Sequence, residues 1–272
     1  MTSIQVSTFK SGGNIQANGI RQHYLRYGGA GRPVILVPGI TSPAPTWGFV
    51  AERFGRSFDT YVLDARGRGL SQSGDGLDYG LDAMAADVVA FATAMDLKDY
   101  ALVGHSMGAR IVLRAVARHG ARPAAVVMVD PPVSGPGRRP YPAKLPWYVD
   151  SIRLATAGCD ADAMRAFCPT WTDEQRALRA EWLHTCHEPA IVKAFEDFQN
   201  DDIHADFPAL SCPSLLIAAG RGDVILPEEE REIVTLQPTL RVVRVENAGH
   251  MIPWDDEAGF YRAFGTFLGQ PV

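Results

Sequence analysis

Residues 100–108 read YALVGHSMG, a short apolar run that ends in a Gly-x-Ser-x-Gly turn. A helix-like stretch, MGARIVLRAVARHG, follows directly. Ser106 therefore lies where the chain reverses sharply from strand to helix, between the small residues Gly104 and Gly108. Such a turn exposes the serine hydroxyl at the carboxyl end of a strand and points the next backbone N–H groups at it. The stretch predicts a nucleophilic serine, which needs a base and an acid elsewhere in the chain.

Length and charge limit the class of protein. The chain has 272 residues, of which 46% are hydrophobic and 21% charged, and its formal net charge is −5. This length and composition are typical of a globular chain with a large core. The negative charge favours neither nucleic acid nor an anionic membrane as a partner. We expect no signal peptide and no membrane span, because no apolar run is long enough. The sequence leaves the oligomeric state open.

The cysteines and the metal-ligating residue types show no site-forming pattern. Cys159, Cys168, Cys186 and Cys212 form no CxxC pair and have no zinc-finger spacing. We therefore expect reduced thiols and a cytoplasmic protein. No cluster of histidine, cysteine and aspartate has metal-ligand spacing, so the sequence predicts a metal-free mechanism.

Strand and helix patterns alternate over most of the chain. This alternation predicts an α/β fold with a mostly parallel central sheet flanked by helices. Residues 20–28 alternate polar and apolar side chains, as an early antiparallel strand does. Further strands are predicted at 34–39, 60–65, 101–106, 124–132, 213–223 and 240–250, and helices at 47–55, 82–96, 107–120, 228–237 and 258–269.

The pattern changes between the two halves of this α/β region. Residues 132–211 begin with a loop rich in proline, glycine and arginine, continue with helical stretches and contain no strand signal. We predict a core domain made of residues 1–131 and 212–272, with 132–211 forming a helical lid over the carboxyl edge of the sheet. Ligands bind at that edge in open α/β folds.

The order of residues along the chain identifies a base. In the α/β-hydrolase arrangement the nucleophile, the acid and the histidine follow successive strands in that order. Of the seven histidines, only His250 follows the final predicted strand, in ENAGHMIPWDD. Its ring would take the proton of Ser106 while an acid holds the other ring nitrogen.

Two aspartates compete for the position of the acid. Asp223 follows the strand that most often carries the acid in this arrangement, and Asp130 follows the strand after the Ser106 helix. Spacing alone favours Asp223, and the choice is close. Two backbone N–H groups are expected to stabilise the oxyanion, one from Met107 and one from Ile40 in the Pro-Gly-Ile loop after residues 34–37.

The stretch DARGRGLSQS at 64–73 contains glycines and arginines, as phosphate-binding loops do. It has neither the GxxxxGK[ST] spacing of a P-loop nor the GxGxxG of a dinucleotide site. We interpret it as a turn held by Asp64 and Arg66.

With these residues in place, the chain resembles the α/β-hydrolases over essentially its whole length. Several stretches, among them DPPVSGPGRRPYPAKLPWYVDSIR, RAEWLHTC and NAGHMIPWDD, resemble the N-formylmaleamate deformylase family of nicotinate degradation. In that family the acid of the Ser-His-Asp triad matches VMVDPP, so the resemblance places Asp130 first and leaves Asp223 as its rival. It implies hydrolysis of an N-formyl amide to maleamate and formate through a formyl-serine intermediate, without a cofactor.

The substrate implied by this resemblance is a small amide that carries a carboxylate. A carboxylate predicts a cation or other donor beside the pocket, and arginine suits this role because its planar fork binds in a bidentate manner. The candidates lie in the lid and comprise Arg138, Arg139, Lys144, Arg176, Arg179 and His184, with Trp147 and Trp182 as possible walls.

Three other functions use the same features. A carboxylesterase and a carbon–carbon hydrolase of ring-cleavage products would share the triad. A small-molecule receptor could keep the fold without catalysis, although an intact triad argues against it. Epoxide hydrolases and haloalkane dehalogenases are disfavoured, because their nucleophile is an aspartate where this chain has Ser106.

Overall fold

The computed structural model describes residues 6–272, and one eight-stranded sheet organises this part of the chain. Its strands are β1 (Phe9–Ala17), β2 (Ile20–Gly28), β3 (Pro33–Val37), β4 (Asp59–Leu63), β5 (Ala101–His105), β6 (Ala125–Val129), β7 (Ser214–Ala219) and β8 (Arg241–Val245). They lie in the order β1-β2-β4-β3-β5-β6-β7-β8. The predicted α/β fold is confirmed.

The helices of the described residues alternate with these strands. They are α1 (Gly48–Phe54), α2 (Leu81–Ala94), α3 (Met107–Arg118), α4 (Leu145–Thr156), α5 (Asp173–Leu183), α6 (Glu188–Asn200), α7 (Pro227–Leu236), α8 (Ile252–Asp255) and α9 (Glu257–Phe264), with short 3-10 helices at Ala44–Trp47, Ala163–Ala166 and His204–Ala209. Two clusters of buried apolar side chains cover the two faces of the sheet. No helix in this part of the chain is long and apolar enough to cross a membrane.

The first two strands form a hairpin of which the sequence predicted only the second strand. β1 pairs antiparallel with β2, and β2 pairs antiparallel with β4. β1 contains Gly12 and Gly13 and is mostly exposed, so it lacks an apolar face that would indicate a strand. Asn18 and Gly19 connect the hairpin at φ values of 50° and 73°. This Asn-Gly pair is the signal that could have revealed β1, because it favours a two-residue hairpin turn.

The remaining strands, β3 to β8, pair in parallel. The central ones are buried along their length, which explains why they read as short apolar runs. Parallel pairing brings the carboxyl ends of β5, β6, β7 and β8 to one edge of the sheet. The loops that follow these four strands therefore meet there.

Residues 132–211 form no strand and lie between β6 and β7. Buried arginines of α3 tie this helical segment to the core. Arg110 donates to the backbone oxygens of Pro132 and Asp197 at 2.7 and 3.0 Å, and Arg114 pairs with Asp206 at 2.6 Å. Because these partners lie at both ends of the segment, α3 anchors it where it leaves and rejoins the sheet.

Candidate active site

The backbone around Ser106 explains the Gly-x-Ser-x-Gly pattern. Ser106 joins β5 to α3 with φ 54° and ψ −118°, a conformation that a side chain adopts only when the surrounding structure enforces it. A Cβ atom added at Gly104 would collide with the backbone of Gly108, and one added at Gly108 would collide with the carbonyl of Val37. Glycine is therefore required at both positions for β5, α3 and the end of β3 to approach each other around the serine.

Ser106, His250 and Asp130 form a continuous hydrogen-bonded chain. His250 Nε2 lies 3.0 Å from Ser106 Oγ, and His250 Nδ1 lies 2.7 Å from Asp130 Oδ2. Asp130 is 1% exposed, and its other oxygen accepts the backbone N–H of Ala219 at 3.1 Å. A carboxylate can only accept, so it holds the proton on Nδ1 and leaves the Nε2 lone pair for the serine hydroxyl. This geometry allows His250 to act as a base toward Ser106.

The strand order separates the two candidate acids. β6 is the immediate neighbour of β5, so Asp130, which follows β6, lies beside the Ser106 turn. Asp223 follows β7, one strand further out, and lines the cavity described below. Within residues 6–272 no hydrogen bond joins Asp223 to His250. The structure therefore brings Asp130 to the histidine and leaves Asp223 on the cavity wall.

His105, next to the serine, supports His250 from behind. Its Nε2–H donates to the backbone oxygen of His250 at 3.0 Å, and its ring lies 5.3 Å from that of Trp47 between ring centroids. Complete burial lowers the pKa of His105 to about 3. The ring is therefore neutral at ordinary pH and acts as a donor to the loop that carries His250.

The backbone groups expected to stabilise an oxyanion flank the serine. Ile40 follows Gly39 in the loop after β3, and Met107 is the first residue of α3. In the described part of the chain neither backbone N–H has a hydrogen-bond acceptor. Two free donors beside a nucleophile are what a developing alkoxide requires.

A buried arginine that the sequence analysis missed holds this loop. Arg68 donates from Nε to the carbonyl oxygen of Ile40 at 3.1 Å and from a terminal nitrogen to that of Ala190 at 3.1 Å. The same guanidinium lies 3.4 Å from the sulfur of Met107. Burial lowers the pKa of Arg68 to about 10. The predicted turn at 64–73 thus also carries a side chain that contacts both oxyanion residues. Because Arg68 lies in a polar loop, the sequence gave no sign that it is buried.

A cavity of about 610 Å³ opens above Ser106 and His250. One side of it is formed by the loops at the strand ends, including Gly39, Ile40 and Asp223. The opposite side comes from the helical segment 132–211 and includes Tyr141, Lys144, Trp147, Tyr148, Phe167, Trp171 and Arg179. The wall is mainly apolar, so the few polar groups on it can orient a small ligand.

Arg179 is the buried cation of this cavity. It is 4% exposed, and its guanidinium carbon lies 5.3 Å from the ring centroid of Trp147 and 5.8 Å from that of Trp171. Its terminal nitrogens contact the backbone and side-chain oxygens of Thr41, both at 3.3 Å, and its Nε has no hydrogen-bond partner within residues 6–272. Among residues 6–272 no carboxylate lies within ion-pair distance of Arg179. An unpaired buried guanidinium is costly, and an anionic ligand would neutralise it.

Several other residues that the sequence suggested as ligand-binding candidates are not among those that line the cavity. The Arg138 and Arg139 guanidinium groups are paired at 2.9 and 2.8 Å with carboxylates of α7, those of Glu232 and Glu229. The buried Arg176 bonds within its own segment to Ala161, Trp171 and Asp173. His184 is exposed at the end of α5, and the half-buried Trp182 does not reach the cavity. Of the named candidates, Lys144, Trp147 and Arg179 line it.

No group of three or more histidine, cysteine, aspartate and glutamate side chains in residues 6–272 is arranged to hold a metal ion. All four cysteines are free.

Known proteins resemble this chain at several levels. The sequence profile of the alpha/beta hydrolase family matches residues 34–263. The N-formylmaleamate deformylase of Pseudomonas putida strain KT2440 is 66% identical over 267 residues, which cover 98% of this chain and all of that protein. The crystal structure of a serine-to-alanine variant of the N-formylmaleamic acid deformylase from Pseudomonas putida S16 has a TM-score of 0.90 at 56% identity, covering 93% of this chain and 99% of that one.

A more distant structure, that of an E-2-(acetamidomethylene)succinate hydrolase, shares the fold. It has a TM-score of 0.78 at 21% identity and covers 96% of this chain and 99% of that one. The family match spans most of the chain, and the deformylase is similar over nearly its full length. The chain belongs to the alpha/beta hydrolase family.

Proposed function

We propose that this chain hydrolyses the N-formyl amide of N-formylmaleamate to maleamate and formate through a formyl ester on Ser106. One observation carries the proposal. The hydrogen-bonded chain of Ser106, His250 and Asp130 opens into the same cavity as the unpaired guanidinium of Arg179. A nucleophile beside a buried cation suits a small acyl compound with a carboxylate, and the 66% identical relative is named for such a substrate.

The first half of the reaction forms the formyl ester. Ser106 Oγ attacks the formyl carbon while His250 Nε2 takes the hydroxyl proton, and Asp130 stabilises the imidazolium that results. The N–H groups of Ile40 and Met107 bind the oxyanion. When the intermediate collapses, the C–N bond breaks and His250 returns the proton to the departing nitrogen.

The second half releases formate. A water molecule, deprotonated by His250, attacks the formyl ester, and Ser106 recovers its proton as the ester bond breaks. The chain needs no metal or cofactor for either half, since each proton transfer uses a group already in the hydrogen-bonded chain. We assign the acid to Asp130 rather than to Asp223 because Asp130 is the one of the two that is hydrogen-bonded to the histidine.

The substrate carboxylate is assigned to Arg179, with Lys144 as a second cation on the cavity wall. We further propose that residues 132–211 act as a lid on a core of residues 1–131 and 212–272. Trp171 of this segment stacks on Trp254, four residues after His250, with centroids 5.4 Å apart, which supports such a covering role. The free thiols support a cytoplasmic location.

The test is to incubate the purified chain with N-formylmaleamate and to quantify formate and maleamate together. We expect the two products in equal amounts and no turnover by Ser106→Ala. Fast cleavage of short acyl esters without formate release from N-formylmaleamate would instead favour a carboxylesterase. Ligand binding without turnover, unchanged in Ser106→Ala, would favour a receptor.

A further inference from the structure

Two tyrosine hydroxyls meet in the cavity, and the mechanism above uses neither. Tyr141 lies in the loop that opens the helical segment, and Tyr148 lies on α4. Their oxygens are 3.1 Å apart, and both side chains are buried and line the cavity. Both residues belong to the stretch DPPVSGPGRRPYPAKLPWYVDSIR, which resembles the deformylase family.

Tyr141 lines the same cavity as Ser106 and His250. Its ring packs edge-on against Phe198 with centroids 5.0 Å apart, and lies 6.4 Å from the His250 ring. The ring is therefore held by packing, and Tyr141 is part of the wall of the cavity that a substrate attached to Ser106 would occupy.

The protonation state of this hydroxyl is also defined. Burial raises the pKa of Tyr141 well above its ordinary value, and burial raises the pKa of Tyr148 as well. Both phenols therefore keep their protons at neutral pH and can donate. If Tyr148 donates to the Tyr141 oxygen, the Tyr141 O–H is free to donate to the substrate.

We propose that Tyr141 is a further catalytic residue, whose O–H donates a hydrogen bond to the carbonyl oxygen of the departing amide while Tyr148 orients it. This inference rests on the proposed function. The leaving nitrogen of an N-formyl amide is attached to a second carbonyl group. When the C–N bond breaks, its electron pair spreads onto that carbonyl oxygen, and His250 supplies the proton to nitrogen. Tyr141 keeps its own proton throughout and stabilises the charge on oxygen.

The inference predicts the leaving group that this site prefers. A compound whose leaving group carries a carbonyl oxygen next to the departing atom benefits from Tyr141. An activated aryl ester does not, because its phenolate leaves as a stable anion without such an oxygen. Tyr141 therefore adapts a general acyl-hydrolase site to N-acyl amides.

The experiment compares Tyr141→Phe with the parent protein on N-formylmaleamate and on p-nitrophenyl formate, corrected for spontaneous ester hydrolysis. We expect kcat for the amide to fall about 10- to 100-fold, the range for a lost hydrogen bond to a charged group. KM for the amide and kcat for the ester should each change less than about 3-fold. Equal losses on both substrates, or no loss on the amide, would overturn the inference.

Two further variants separate orientation from folding. Tyr148→Phe should show a smaller loss restricted to the amide, and the double variant should be no slower than Tyr141→Phe alone. Tyr261→Phe is the matched control, because this buried hydroxyl on α9 has no hydrogen-bond partner in the described part of the chain and lies outside the cavity. It should retain the parent rates on both substrates.

Rapid-quench measurement on N-formylmaleamate gives an independent result. Tyr141 acts only when the amide departs, so its loss should slow formylation of Ser106 and lower the steady-state fraction of formyl-enzyme. A higher fraction would show that deformylation had slowed and would contradict the assignment. If the parent protein releases no formate from N-formylmaleamate, the proposed function itself fails. Normal parent turnover with an equally fast Tyr141→Phe overturns this inference alone.

Discussion

The two sides of the cavity hold their functional groups in different ways. At the strand ends the backbone holds the functional groups in place. The N–H groups of Ser106 and Asp130 each donate at 2.8 Å to a neighbouring strand, and both residues have positive φ. In the helical segment 132–211 side-chain contacts hold them in place. Arg179 lies against two tryptophan rings and has hydrogen bonds of 3.3 Å to Thr41. The first side is suited to fixed bond-making geometry and the second to contact with a ligand.

This difference separates two kinds of expected defect. A change at the strand ends should reduce the rate for every substrate, because all of them react with the same serine. A change in the helical segment should reduce it selectively, according to the charge or leaving group of the substrate. Each prediction below tests one side of this division or the connection between the two sides.

Removing the nucleophile should have the largest effect. Ser106→Ala should lower kcat for formate release about 10⁴- to 10⁶-fold and leave substrate affinity nearly unchanged. The measurement is single-turnover formate release, with ligand binding followed by calorimetry. A variant that kept more than a few per cent of the parent rate would show that another group attacks the formyl carbon.

Replacing the two candidate acids should cause very different losses in kcat. Asp130→Asn should lower kcat about 10⁴-fold, because the amide can no longer hold the proton on Nδ1 of His250. Asp223→Asn should change kcat less than about 10-fold, since Asp130 and not Asp223 is hydrogen-bonded to the histidine. Steady-state rates of both variants, matched for folding by circular dichroism, provide the comparison. The reverse order of effects would move the acid to β7.

Arg68 connects the two sides, and its removal should affect stability. It bonds the carbonyl of Ile40 at the strand ends and that of Ala190 at the start of α6. Arg68→Met leaves the buried oxygen of Ile40 without this donor, removes the hydrogen bond to Ala190 and should lower the free energy of unfolding by about 2–4 kcal/mol. Urea unfolding measures this loss. The exposed pair of Arg138 and Glu232 is the control, and Arg138→Gln should cost less than about 1 kcal/mol.

His105 predicts a specific pH dependence of stability. Its pKa is about 3 in the folded chain and about 6.5 in the unfolded chain. Below about pH 6.5 the unfolded chain therefore binds a proton that the folded chain does not, and stability falls as pH falls. The His105→Gln variant has no titrating group at this position. The difference in free energy of unfolding between the parent and this variant should therefore change with pH by up to about 1.4 kcal/mol per pH unit. Parallel pH profiles would contradict a neutral, buried His105.

The strand-end side could be predicted from the sequence to a large extent. Apolar runs predicted the parallel strands, and chain order placed Ser106 and His250 at one edge. The order of strands within the sheet is not visible in a sequence. Spacing therefore favoured Asp223 after β7, whereas in the sheet β6, which carries Asp130, is the neighbour of β5. β1 was missed because its exposed, glycine-containing residues lack a buried face.

The helical side could not be predicted in the same detail. Arg138 and Arg179 look alike in sequence, yet one finds a carboxylate on α7 and the other remains unpaired between aromatic rings. Such differences depend on partners far away in the chain. Arg68 was missed for the same reason, since polar residues in a glycine-containing turn are ordinarily exposed.

The different roles of the strand ends and the helical segment are tested most directly by the charge selectivity of Arg179→Gln. The measurement compares kcat/KM for N-formylmaleamate with that for an analogue whose carboxylate is replaced by a carboxamide. We expect Arg179→Gln to lose about 100-fold on the charged substrate and less than about 3-fold on the neutral one, while Arg139→Gln loses on neither. Equal losses of Arg179→Gln on both substrates would contradict a helical side that selects the carboxylate and a strand-end side that supplies the nucleophile, the base and the acid.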